Sequence, residues 1–216
     1  MTVRSPHAAD RSPPAPADRR RGRVVALLPG THAAAAPSQP PPASGASHSG
    51  YDRLRLLVDL SARRLVTADV VASAKWGTGA PVDDPAREQQ VLDTVARLAH
   101  EQGADPQETV RFLRQQIEAN KLVQRAMHKR WNADPSEAPT SRPDLTQVRE
   151  EINRINVEMV RAIGASASVR TAPSCDATLT AAEAGVSHRR HLDRLHARAL
   201  RYALRPVCAP GDVSTV

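Results

Sequence analysis

From Tyr51 onward, apolar residues recur at steps of three and four, and glycine or proline cuts the periodic stretches at short intervals. Such a chain must build helices and stack them. The spacing predicts a first helix over Tyr51 to Trp76, stopped by Gly77-Thr78-Gly79-Ala80-Pro81. Asp83 or Asp84 can cap a second, with Pro85 in its first turn, ending at Gln102 before Gly103. Asp105, Pro106 and Glu108 open a third that reaches Trp131, and a Pro-rich loop follows from Asn132 to Pro143. A fourth runs from Asp144 to Ile163 with Leu145, Val148, Ile152, Ile155 and Met159 at helical spacing. The last helical region lies between Cys175 and Cys208, with its expected break at Gly185. The core has to be aliphatic, because the chain holds one Phe, two Tyr and two Trp. That favours packed helices over sheets, which draw on aromatic and β-branched residues. The expected fold class is an all-α bundle, with core helices over 51–131 and C-terminal helices over 144–208.

The formal net charge of +7 does not describe a nucleic-acid-binding face. Residues 1–50 hold six Arg and two Asp, which is +4 of the total, and the remaining +3 is spread among interleaved acids and bases. No nucleic-acid partner is expected. Nor does any segment approach the roughly 18 consecutive apolar residues of a membrane span, so the mature chain is expected off the membrane. Residues 1–50 also carry nine of the eighteen prolines, a composition that buries little and is expected to stay disordered. Within them Arg19 to Arg23, Val24 to Leu28 and Ala33-Ala34-Ala35 have the order of an export signal, although Pro29, Gly30 and His32 interrupt the apolar part. An ordinary disordered leader, or a start codon assigned too far upstream, accounts for the same residues.

Polar residues stand where the periodicity calls for apolar ones. The inward stripe of the third helix is Val110, Leu113, Ile117, Asn120, Gln124, Met127 and Trp131. Its two amides need hydrogen-bond partners if buried, and either alone could be a satisfied core amide that fixes register. The first helix carries Leu54, Leu57, Ser61, Arg64, Ala68, Val71 and Lys75 on its stripe, and the eleven residues from Arg64 to Lys75 are about three turns. One inward cation usually snorkels or pairs; two, with no acid on the same stripe, suit a dianion held between helices. Asp84, Arg87 and Glu88 share a face with Val91, Val95 and Leu98, although the acids could simply favour the helix N-terminus and Arg87 could pair with one of them. Together these residues describe a small polar pocket inside an apolar bundle.

In order and spacing, several strings resemble the all-helical chorismate mutases, and most closely their exported gamma subclass, from about Tyr51 to Cys208. They are Ala62-Arg63-Arg64-Leu65 with Ala74-Lys75-Trp76, Asp84-Pro85-Ala86-Arg87-Glu88-Gln89-Gln90, and Gln116-Ile117 with Asn120 and Gln124. Pro143-Asp144-Leu145 with Arg149, Pro173-Ser174-Cys175 and Arg190-His191-Leu192-Asp193 complete the set. The resemblance implies that chorismate is rearranged to prephenate, for aromatic amino acid synthesis, without cofactor or metal. It assigns Arg64 and Arg87 to the substrate carboxylates and hydroxyl network, Lys75 to a carboxylate and the breaking ether oxygen, and Gln124 to the same ether oxygen. Glu88 would accept from the ring hydroxyl, and Asp84 would belong to the same wall. Arg149 matches an arginine that gamma-subclass enzymes supply from their own chain. Asn120 falls where relatives carry a small hydroxyl residue, and some exported relatives have Glu at the position of Gln124.

The reaction is pericyclic, so fixed conformation and fixed donors at the ether oxygen suffice. No general base is required, and His188 with His191 lacks the further ligands a metal would need. Two other readings remain: an isochorismate pyruvate lyase with a similar cationic pocket, and an exported bundle that only binds a partner. The resemblance further implies a homodimer, and an exported enzyme that is secreted or periplasmic. Cys175 and Cys208, the two cysteines of the chain, have no CxxC or zinc-ligand spacing and are expected to be bridged, although two unrelated buried thiols would give the same count. A bridge requires the segment to fold back, and Gly185-Val186-Ser187 is the expected corner, between a short helix from Asp176 and a longer one ending near Arg205-Pro206.

Overall fold

The computed structural model describes residues 45–208; the leader and export signal expected within 1–50 lie outside it, apart from the first turns of helix α1. Six helices follow in order: α1 Gly45–Lys75, α2 Pro85–Glu101, α3 Pro106–Ala133, α4 Leu145–Arg170, α5 Cys175–Arg189 and α6 Arg194–Ala203, with a 3-10 turn at Pro135–Glu137. No strand occurs among the described residues. The 31 residues of α1 make a rod about 46 Å long at 1.5 Å per residue. It is the axis of the bundle, packed by α3, α4, α5 and α6. Helix α2 lies across α3 and α4.

Aspartate starts four of these helices. Asp84, Asp105, Asp144 and Asp193 accept from the backbone N–H of Arg87, Glu108, Thr146 and His196 at 3.1, 2.7, 2.8 and 2.8 Å. At the other end of α2, Gly103 takes φ +68°, and Ala104 N–H donates to Ala99 O at 2.9 Å, closing a Schellman turn that only a left-handed residue permits. The buried core is aliphatic apart from Phe112 and Trp131, with Leu54, Leu57, Leu65, Leu113, Ile155, Met159 and Leu200 almost wholly buried.

Three expected helix limits differ: α1 starts at Gly45, six residues before Tyr51, and the other two differences lie at glycines. Helix α4 does not stop at Ile163 but continues to Arg170, because a Cβ at Gly164 would sit 3.4 Å from Ala104 Cβ: the glycine admits a close neighbour instead of ending the helix. Likewise Gly185 is not the corner of the C-terminal hairpin. It lies inside α5, where a Cβ would come within 3.3 Å of Tyr51 Oη on α1. The corner is Arg190 to Asp193, with His191 at φ +50° and Leu192 N–H donating to Ser187 O at 3.0 Å. Hence α5 is the longer arm and α6 the shorter, and Cys175 and Cys208 are bridged with Cα atoms 5.8 Å apart.

Candidate active site

Every residue that the sequence singled out for substrate lines one cavity of about 130 Å³, open to the surface where α1 ends and α2 begins. Arg64 and Lys75 reach it from α1, Asp84, Arg87 and Glu88 from the start of α2, Asn120 and Gln124 from α3, and Arg149 from the first turns of α4. Val71, Val91, Ile117 and Ile152 supply apolar wall between them.

Arg64 is 5% exposed, so its guanidinium has left water. Its Nε donates to Asn156 Oδ1 and its Nη1 to the Gln116 carbonyl, both at 3.0 Å, which are neutral acceptors. Burial uncompensated by a carboxylate pulls its pKa down to about 10, which still leaves a full cation at neutral pH. Burial also holds the Lys75 ammonium below the ordinary lysine value; nearby Arg149 acts in the same direction, and Asp84, Asp83 and Glu88 oppose it. The Nζ of Lys75 donates to the Pro81 and Val82 carbonyls at 2.9 and 3.1 Å, leaving one N–H of three. Arg87 does not pair with Asp84 or Glu88 as proximity allowed; its guanidinium donates to Gln90 Oε1 at 3.3 Å.

The two amides form a relay whose direction is fixed at one end. A backbone carbonyl can only accept, so Asn120 presents Nδ2 to Arg64 O at 3.2 Å and turns Oδ1 toward Gln124, which must offer Nε2 at 2.7 Å. Gln124 keeps a second N–H, and its Oε1 is buried without a partner. A buried unsatisfied oxygen costs about 1–3 kcal/mol, and such an orphan is common where a ligand belongs.

Two contributors escaped the sequence reading. Lys121 lines the cavity, 8% exposed, with Nζ 2.6 Å from Glu118, 3.1 Å from Glu88 and 3.2 Å from Asp83. Burial works against its charge, but the hydrogen bonds to Glu118, Glu88 and Asp83 prevail and hold it above the ordinary lysine value. Its place one turn after Ile117 and before Gln124 was the available signal. Asn156, 4% exposed on α4, holds Arg64 and follows the apolar Ile155 with no periodic mark of its own.

Residues 55–125 match the family model of chorismate mutase type II. The chain is similar to chorismate mutase from Burkholderia phymatum, at 34% identity and a TM-score of 0.70, covering 75% of this chain and 99% of that one. It is also 38% identical over 152 residues to a secreted chorismate mutase of Mycolicibacterium smegmatis, covering 70% of this chain and 84% of that one. With the secreted chorismate mutase of Mycobacterium tuberculosis it shares 36% identity over 173 residues, 80% of this chain and 85% of the relative, and on that extent of likeness it belongs to the chorismate mutase family.

Proposed function

We propose that the cavity between α1, α2, α3 and α4 is where this chorismate mutase rearranges chorismate to prephenate. What carries the reading is an excess of cation with its counter-charge engaged elsewhere. Arg64, Lys75, Arg87 and Arg149 surround the space; of its two carboxylates, Glu88 is joined to Lys121 and Asp84 is engaged in capping α2 through the Arg87 N–H. A ligand with two carboxylates restores the balance. Arg64, Arg87 and Arg149 hold those carboxylates and so select the folded conformer in which the new carbon–carbon bond can form, which removes an entropic part of the barrier. As that bond forms, the carbon–oxygen bond breaks and negative charge grows on the ether oxygen. The remaining N–H groups of Lys75 and Gln124 meet it there, already oriented by Pro81, Val82 and Asn120. The Glu88 carboxylate accepts from the ring hydroxyl, and Asp84 keeps the start of α2 in register.

We assign the chain to the exported gamma subclass. Support comes from Arg149, which reaches the cavity from the same chain; from the Cys175–Cys208 bridge, at home in an oxidising compartment; and from relatives named as secreted. The homodimer is assigned to the side of α1 from which Leu56, Val66 and Val70 project, 51%, 43% and 37% exposed.

Purified chain incubated with chorismate should consume its absorbance and yield prephenate; release of pyruvate would assign the pocket to lyase chemistry instead. Mixing inactive Arg64→Ala and Arg149→Ala proteins should restore no activity if each site is built from one chain. Recovery toward a quarter of the unmutated rate would show a shared site.

A further inference from the structure

The loop between α1 and α2, residues 76–84, has an exposed middle and two anchored ends. At its start Trp76 packs edge-on against His128 and Trp131 of α3, with ring centroids 5.3 Å away in each case. At its end Asp83 grips α3 with both carboxylate oxygens, 2.6 and 2.7 Å from Arg125 Nη2, while Lys121 Nζ stands 3.2 Å from Oδ1. Between these anchors lie the Pro81 and Val82 carbonyls that take two of the three N–H groups of Lys75. A lysine ammonium rotates freely about its last bond, so whichever acceptors hold two of its protons decide where the third points.

We propose that Asp83, clipped to α3 by Arg125 and Lys121, is the positioning residue of Lys75, aiming its free N–H into the cavity through the Pro81 and Val82 carbonyls. The inference rests on Lys75 serving as the ether-oxygen donor. Asp83 is not among the residues that line the cavity; it holds the adjacent peptide, and Lys121 joins that clip to Glu88. The hydrogen bonds from Arg125 and then Lys121 keep the Asp83 carboxyl below the usual carboxylate range, so the clip stays charged at neutral pH. A misdirected donor weakens the transition state more than the bound ground state, which places the larger effect in kcat.

The test is a kinetic double-mutant cycle on the full chain with chorismate. Asp83→Asn should lower kcat about tenfold with KM within threefold, Asp83→Glu should recover to within threefold of the parent, and Arg125→Gln, breaking the clip from α3, should reproduce the kcat loss. In a Lys75→Ala background Asp83→Asn should add less than twofold. The inference is overturned if Asp83→Asn stays within twofold of the parent, if KM rises while kcat holds, or if the tenfold loss persists in full without Lys75. Parental activity in Lys75→Ala itself would instead defeat the assignment of the ether-oxygen donor.

Discussion

Two buried cations on α1 and α6 have opposite fates. Arg64 meets only neutral acceptors, and burial lowers it to about 10. His196 at the start of α6 lies between two carboxylates, with Nε2 2.9 Å from Asp69 and Nδ1 2.8 Å from Asp193. The Asp69 hydrogen bond, aided by Asp193 and opposed by burial, raises it to about 9. Around the same hairpin Arg190 closes on Asp59 at 2.7 and 2.6 Å. The cavity thus holds charge in reserve, and the hairpin balances charge locally. An uncompensated buried cation costs stability and makes sense where an anion is to arrive; a compensated one fastens helices.

The contrast is broken most severely at Lys75. Lys75→Ala should lower kcat by a hundredfold or more, since losing one preorganised donor costs about 2.7 to 4 kcal/mol, while the unfolding midpoint stays near that of the parent. A variant within threefold in kcat would remove the ether-oxygen role. Next comes the bridge: replacing Cys175 and Cys208 together with Ser should destabilise by about 2 to 4 kcal/mol in denaturant titration yet leave kcat within twofold at low temperature. A large loss of activity in a folded double mutant would mean that hairpin and cavity are coupled. The smallest effect belongs to His196. Its folded pKa of about 9 exceeds the ordinary 6.5, so its contribution is complete below about 6.5 and is lost as pH rises through about 9. The thermal midpoint should therefore fall a few degrees over that interval, and His196→Leu should flatten the decline without changing kcat. Activity should fail on its own alkaline limb, where Lys75 deprotonates below the ordinary lysine range. Stability and activity limbs that moved together in His196→Leu would erase the distinction between the two regions.

Most of the bundle was legible because its punctuation is chemical. An Asp-Pro pair at 84–85 or 105–106 caps a helix whatever packs nearby, and Gly103 ends one by its own backbone freedom. The helix end set at Ile163, just before Gly164, and the corner expected at Gly185 both fail because a glycine that admits a neighbour and a glycine that breaks a helix look alike until the neighbour is known. The polar lining was visible wherever it interrupted an apolar stripe, as Arg64, Asn120 and Gln124 do. Lys121 was not, because a lysine beside such a stripe has the pattern of a solvated residue, and only the convergence of Glu118, Glu88 and Asp83 from three segments makes it interior.

The amide relay constrains the order in which its two positions can be exchanged. Because the Arg64 carbonyl turns Asn120 Oδ1 toward position 124, that position must supply a donor, and a carboxylate there would face an oxygen lone pair. A serine or threonine at 120 could rotate its hydroxyl to accept or to donate, so it tolerates either Gln or Glu at 124. Placing a carboxylate at 124 in this chain therefore calls for serine or threonine at 120 first, and the reverse exchange for glutamine at 124 before asparagine at 120.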